Sequence, residues 1–280
     1  MNLIKINNLR KSFGTKEILK GIDLDLKTGK VYTLLGKNGA GKTTFINILL
    51  RLIKEDKGQV ATNLNIKKEV GVVFQEDYFP KDITVSDLVK LQASFFRKKL
   101  DVNEQLKSMG LEKEKKQSVR TLSGGQKRKL SILLAILHNP KLLILDEPTA
   151  GMDYDSVEKF VHQIQKLKAE GKTILLITHD LYQIESFADY ILLLNEGIFE
   201  ENILVDDMLT EILYEFPIDK LKSNVPKEKI FYTDGQNIVV DTSQIKGLMT
   251  GQEITDLKKY KRPKRVVDIF KRISFIEGEN

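Results

Sequence analysis

Gly36-Lys37-Asn38-Gly39-Ala40-Gly41-Lys42-Thr43 is the stretch that decides the fold. It matches the pattern G-x-x-x-x-G-K-[S/T] at each fixed position. Its glycines let the backbone curl so that successive N–H groups converge, which makes a cradle for the crowded negative charge of a triphosphate. Lys42 can reach the β- and γ-phosphates, and the Thr43 hydroxyl, with Thr44 beside it, is placed to ligate Mg²⁺. Upstream, Val31-Tyr32-Thr33-Leu34-Leu35 is a short apolar run of the kind expected for a buried strand. Downstream, Phe45, Ile46, Ile48, Leu49 and Leu52 recur at helical spacing. Strand, glycine loop and helix together present a helix N-terminus to phosphate. The loop names no reaction, because kinases, GTPases and ATPases share it, so the rest of the chain must choose.

With 41% hydrophobic residues, a chain of 280 residues can bury one large α/β domain and a small appendage. The absence of cysteine excludes disulfides, cysteine zinc sites and thiol catalysis. The three histidines, His138, His162 and His179, are too scattered for a metal-binding cluster. A net charge of +6 is a mild excess, compatible with a solvated lysine-rich surface as well as with anionic partners. Met1 to Asn8 lacks the apolar core of a signal peptide. No run approaches the roughly 18 apolar residues that span a bilayer. The densest, Leu130 to Leu137, reads as a core helix, so work at a membrane would need another chain to span it.

The first thirty residues or so alternate apolar and polar positions, as in Ile22-Asp23-Leu24-Asp25-Leu26, and read as antiparallel strands. Val70 to Phe74 is a further buried-strand candidate, ending at Gln75. From Asp82 to about Arg120 the pattern turns helical, with Leu88, Leu91 and Phe95 on one face and Leu100, Leu106 and Leu111 continuing it, and Phe95 and Phe96 suit a partner-facing surface as well as a core. A second helix is expected after Gly124-Gly125, with the stripe Leu130, Leu133, Leu134 and Leu137. Apolar strands at 142–145, 173–177 and 190–194 then alternate with helices near 155–170 and 181–187, which argues for a parallel sheet covered on both faces. In such sheets ligands sit at the carboxyl ends of the strands. The phosphate loop, Gln75, Asp146 and His179 all fall at such ends. Beyond about residue 205 the character changes. Residues 206–214 read as helix, and Lys229 to Thr233 and Asn237 to Asp241 flank Asp234-Gly235 as a hairpin, together a small α+β appendage.

Asp146 and Glu147 follow the strand 142–145 directly, with Pro148 next. In a phosphate-loop enzyme the first carboxylate belongs near Mg²⁺. The second can act as general base on an attacking water.

Leu122-Ser123-Gly124-Gly125-Gln126, just upstream of Asp146-Glu147-Pro148-Thr149, is identical to the signature motif of the ATP-binding cassette (ABC) ATPases, and the chain resembles that family over residues 1–200. By this resemblance Phe13 matches the aromatic that stacks on adenine, and Gln75 the glutamine that approaches the metal and the attacking water. Ala150-Gly151-Met152-Asp153 matches the D-loop, with Met152 where leucine is usual, and His179 matches the switch histidine. The resemblance implies a mixed RecA-like sheet core, an N-terminal antiparallel β-subdomain and a helical subdomain at about 82–140. Together they form a nucleotide-binding domain over 1–204, followed by an accessory region over 205–280. It implies ATP and Mg²⁺ as cofactors, with Thr43, Gln75 and Asp146 at the metal and Glu147, Gln75 and His179 catalytic. It also implies a head-to-tail dimer with a second copy or a homologous ATPase subunit, in which Ser123, Gly124, Gly125 and Gln126 face the γ-phosphate of the other subunit and Asp153 lies at the seam. Ser123 before two glycines suits that role, since hydroxyl, free N–H groups and helix dipole all favour an anion.

Within the family, the short stretch between Gln75 and Ser123 disfavours the long coiled-coil type, and one cassette disfavours the tandem type. That leaves the ATPase subunit of a transporter, docked on a separate membrane permease at the cytoplasmic face of the cell membrane. Lys264-Arg265-Val266-Val267-Asp268-Ile269-Phe270, after Pro263, loosely resembles the tail of exporter cassettes for drugs, peptides and bacteriocins. Export of a drug, peptide or lipid-like molecule is the expectation. An importer ATPase is one alternative. A soluble ATPase acting on nucleic acid or ribosomes through its basic tail is another, and nucleic acid is not the expected partner.

Overall fold

The computed structural model describes residues 1–80, 82–178, 184–217, 230–234, 236–241 and 261–277, with backbone alone at 200–201, 270 and 273–277. Two compact units emerge, one of Met1–His179 with Ser186–Asn202 and one of Asp180–Glu185 with Ile203–Asn280.

The first unit opens with long antiparallel strands β1 (Asn2–Phe13) and β2 (Lys16–Lys27), as the alternation requires. Ile4 and Ile6 of β1, and Ile22, Leu24 and Leu26 of β2, put every second side chain into the core. The strand β4 (Lys57–Thr62) pairs on the other edge of β1, giving the order β2-β1-β4. The main sheet has six strands in the order β5-β6-β7-β3-β8-β9, built from β3 (Val31–Leu35), β5 (Val70–Val73), β6 (Leu142–Asp146), β7 (Thr173–Ile177), β8 (Tyr190–Asn195) and β9 (Ile198–Leu204). The neighbours from β5 through β8 are parallel. All five residues of the inner strand β3 are buried, which is why its sequence shows no alternation. The edge strand β9 follows a two-residue turn, Glu196-Gly197, in which both residues have positive φ, the turn that joins antiparallel neighbours.

Helix α1 (Lys42–Leu49) buries Phe45, Ile46, Ile48 and Leu49, and Phe45 meets Phe199 edge-on at 5.4 Å. Leu52 continues the stripe in sequence, but the helix ends before it and Leu52 is exposed. A four-residue helix α2 (Ile66–Glu69) leads into β5. The helical region contains α3 (Val85–Phe95), α4 (Val102–Ser108) and α5 (Gly124–Ile136). Its core joins Val85, Leu88, Val89, Leu106, Leu111, Leu130 and Leu133. Of the three residues read onto one face, Leu88 is buried, while Leu91 is 42% and Phe95 71% exposed, so Phe95 is not a core residue. The helix is turned so that Val85, Leu88 and Val89 meet α5, and periodicity alone could not choose between the overlapping stripes. Where α5 crosses β5, a Cβ on Gly71 would lie 2.2 Å from the carbonyl oxygen of Ala135, so the strand tolerates no side chain there. Helix α6 (Tyr154–Ala169) follows β6. Of the helix expected near 181–187, residues 181–183 lie outside the described residues, Ile184 is helical and 185–187 form a turn.

The second unit has a four-stranded sheet in the order β11-β12-β10-β13, from β10 (Ile212–Pro217), β11 (Ile230–Thr233), β12 (Asn237–Asp241) and β13 (Lys261–Pro263), with helices α7 (Val205–Thr210) and α8 (Val266–Glu277). The helical reading through residue 214 is corrected: Ile212, Leu213 and Tyr214 lie in β10, where Leu213 and Tyr214 pair with Asp241 and Val240 of β12 and all three pair with β13. These cross-strand pairs override the local pattern. The expected hairpin is present, with Ile230 opposite Val240 and Thr233 opposite Ile238, while Gly235 of its turn lies outside the described residues. Asp268 is fully buried, and Arg262 donates to both its carboxylate oxygens at 2.7 and 2.8 Å. Burial would raise the Asp268 pKa, but Arg262, the Tyr232 hydroxyl and the Arg265 N–H hold it below the usual carboxylate range.

Candidate nucleotide-binding site

The site grows from the end of β3. The chain leaves the strand at Gly36 and closes a tight loop, in which the N–H of Ala40 donates to the carbonyl of Lys37 at 3.2 Å. Gly41 caps α1 with φ 108°, a left-handed conformation open to glycine and strained for other residues. Ala40 is buried behind the loop, while Lys37, Asn38, Gly39 and Gly41 line its open side. The Lys42 ammonium donates to the carbonyls of Gly36 at 2.5 Å and Lys37 at 2.9 Å, which holds it over the loop. Burial lowers the Lys42 pKa, and the opposing pull of Asp146 and Glu147 only partly restores it.

Around the loop lies a cavity of about 320 Å³, lined also by Lys16, Ile18, Thr43, Thr44, Gln75, Asp146, Glu147 and Ile177. The parallel sheet explains the convergence: β5 delivers Gln75, β6 delivers Asp146 and Glu147, and β3 delivers the loop, all at their carboxyl ends. Glu147 sits at φ 47°, and its N–H donates to the carbonyl of Ile177 at 2.9 Å, extending the β6–β7 ladder by one bond. A non-glycine residue held in the left-handed region is costly, and such positions cluster at functional sites. Phe13 is exposed, so it is not a core residue. It lies across the β1–β2 ladder from Lys16, which lines the cavity, and the Lys11 ammonium stands 5.5 Å above its ring. His179 lies outside the described residues.

Ser123, Gly124, Gly125, Gln126 and Asp153 do not line this cavity. Ser123 and Gly124 are exposed at the start of α5. The Ser123 hydroxyl accepts the N–H of Gln126 at 3.3 Å, while the Gln126 side chain accepts the N–H of Ser123 at 2.9 Å and donates to Glu114 at 3.0 Å. The Gln126 side chain is therefore spent on a capping box, a local duty that the spacing Ser-x-x-Gln encodes. Asp153 likewise caps α6, accepting from the N–H of Ser156 at 2.8 Å and from its hydroxyl at 2.9 Å, and these bonds lower its pKa. Two contributors escaped sequence reasoning. Lys16 lies on a strand with no motif, and Arg128 is a charged residue buried in a helix whose apolar stripe drew the attention.

The cavity unites a glycine cradle, a lysine, a hydroxyl and two carboxylates, and the ABC transporter family profile matches residues 19–150. The lantibiotic transport ATP-binding protein SrtF of Streptococcus pyogenes is 34% identical over 206 residues, covering 70% of this chain and 88% of that protein. The chain belongs to the ATP-binding cassette transporter family. As an ABC ATPase it binds and hydrolyses ATP. The bacitracin transport ATP-binding protein BcrA of Bacillus licheniformis is 32% identical and covers 85% of this chain and 77% of its own length. An import protein, the spermidine/putrescine ATP-binding protein PotA of Spiroplasma citri, is 33% identical, covering 71% and 61%. Among solved structures, the ABC cassette MJ0796, a dimer in a post-hydrolysis state with ADP and phosphate, superposes with a TM-score of 0.65 at 28% identity, covering 72% of this chain and 98% of that one. No helix among the described residues is long and apolar enough to cross a membrane.

Proposed function

We propose that this chain is the ATPase subunit of an exporter, moving a drug, peptide or lipid-like molecule through a separate membrane permease at the cytoplasmic face. ATP would clamp two cassettes together, and hydrolysis would release them. The observation that carries the dimer is the separation within one chain. Lys42, Thr43, Gln75, Asp146 and Glu147 share a cavity, whereas the anion-favouring N-terminus at Ser123-Gly124 is exposed outside it. An anion site on the surface is explained if a second cassette brings its phosphate there.

In this reading the loop N–H groups and Lys42 bind and orient the phosphates. Glu147 accepts the proton of the attacking water, and Gln75 aligns that water. Phe13 offers its exposed ring to the base. His179 completes the switch. The oxygen donors of Thr43, Gln75 and Asp146 line one cavity and suit Mg²⁺, an oxygen-seeking ion typically held through one or two carboxylates beside water and phosphate. When bound, Mg²⁺ would neutralise charge building on the β- and γ-phosphate oxygens.

Two features favour export over a nucleic-acid role. Relatives named for lantibiotic and bacitracin transport match well, the second across 85% of this chain. Among the described residues, four of the tail's basic side chains are paired with carboxylates: Arg262 with Asp268 and Glu215, Lys264 with Glu211, Arg265 with Glu185 and Lys271 with Asp234. Lys258 and Lys259 lie outside the described residues. The test is affinity purification from native cells in mild detergent. A stoichiometric multispanning partner is expected, together with antimicrobial-peptide sensitivity when the chain is deleted. Salt-resistant ribosomes or nucleic acid without such a partner would overturn the proposal.

A further inference from the structure

The side chain of Arg128 is 2% exposed, yet it carries a full charge into the junction of three elements. One terminal nitrogen donates to the carbonyl of Phe74 and to the carboxylate of Asp77 at 3.2 Å. The other donates to the carbonyls of Asp146 and of Glu147, the latter at 2.7 Å. Phe74 immediately precedes Gln75, and Asp77 lies two residues beyond it. The Ser131 hydroxyl, one helical turn further along α5, donates to the same Asp77 oxygen at 2.5 Å.

We infer that Arg128 is a positioning residue for hydrolysis: its guanidinium fixes the spacing between the Gln75 loop and the Asp146-Glu147 carboxylates and ties both to the helix that begins at Ser123. Only a planar fork can serve acceptors on two separate loops at once, and lysine, a compact point charge, cannot reproduce it. The bond to the Glu147 carbonyl holds the peptide on the far side of a residue already at φ 47°, so the direction of its carboxylate depends on that bond. Because these are charge-assisted bonds in a buried place, they are stiff. A displacement of the Gln75 loop must therefore drag the carboxylates, α5, or both.

The inference rests on the assignment of Glu147 and Gln75 as hydrolytic groups, and the experiment separates the two. In the full-length protein, Arg128→Lys should lower kcat for Mg-ATP by ~30-fold, since misplacing a catalytic group by about 1 Å is enough for such a loss. Its KM and its nucleotide affinity should stay near wild type. A second readout uses the absence of tryptophan from the chain. Tyr78→Trp places a reporter on the exposed end of the Gln75 loop, where Tyr78 is 83% exposed. Its emission should respond to ATP, and Arg128→Lys should blunt that response. Wild-type kcat in Arg128→Lys, or a loss of ATP affinity as large as the loss of kcat, would overturn the inference. If Arg128 variants do not fold, Asp77→Asn and Ser131→Ala test it with the guanidinium in place. A kcat lowered ~5-fold at unchanged affinity is expected for each, a partial version of the same misplacement, and unchanged kcat in both would overturn it. A wild-type rate in Glu147→Gln would sink the assignment of the base, while the split between kcat and affinity in the Arg128 variant would still judge the positioning role.

Discussion

Two anion-favouring helix N-termini, at α1 and at α5, make opposite use of similar sequence. At α1, Gly36 to Thr43 curl into a walled cavity, with Gln75, Asp146 and Glu147 brought to it by neighbouring parallel strands. At α5, Ser123 and Gly124 stand at the surface, and the side chains nearest in sequence are spent on capping. Glycines before a helix thus mark a place where an anion can bind, and the neighbouring strands decide whether the chain supplies the chemistry itself. Under the proposed function, a half-site of each kind in one chain is what a pair of cassettes needs to complete two sites.

The sharpest way to break this contrast is Glu147→Gln, which keeps size and removes the base. Turnover should fall by ~10²–10³-fold, as expected for loss of general-base catalysis. ATP affinity should persist, and a dimer should be visible by light scattering with ATP. A monomer with wild-type turnover would dissolve the assignment. Next comes Lys42→Ala, which should weaken ATP binding by ~100-fold in titrations, the scale of losing one partner of a buried charge-assisted contact. Ser123→Arg should cut turnover by ~100-fold, as for removal of a preorganised donor at developing charge. The isolated monomer of that variant should bind ATP normally, and lost binding there would mean that α5 serves its own chain. Phe13→Ala should raise the Kd for ATP by ~5-fold, near the lower end for base–aromatic stacking, and leave phosphate-loop contacts intact. The smallest effect belongs to Asp153→Asn, which keeps a capping acceptor at α6. Unchanged Tm with turnover lowered ~2-fold, a few tenths of a kcal/mol in the barrier, would separate a role at the seam from the capping role.

Much of this was legible in the sequence, because the motifs are backbone instructions. A buried strand followed by G-x-x-x-x-G-K-T, or by Asp-Glu, dictates where a side chain emerges, and Lys42, Gln75, Asp146 and Glu147 do share a cavity. Side-chain duties were less legible. Nothing in a pattern says that the Gln126 amide and the Asp153 carboxylate are already bonded to their own helices, since the same residue types suit a cap and a ligand site equally. The sequence left open whether Phe95 serves the core or a surface, because a helix with apolar residues on two faces leaves the choice to its neighbours. Residues 212–214 misled because strand pairing with β12 is set by residues far along the chain. Arg128 was invisible because its partners are mostly carbonyl oxygens, which every sequence possesses.

Gly71 belongs to no motif and touches no part of the cavity, yet the carbonyl of Ala135 occupies the space where any side chain would begin. In a library of random variants, that codon should be purged as thoroughly as the codon for Lys42. Tolerance to mutation is therefore a poor guide to chemistry in this protein: an empty position can be as unforgiving as a catalytic one, because what selection protects there is the closeness of two backbones.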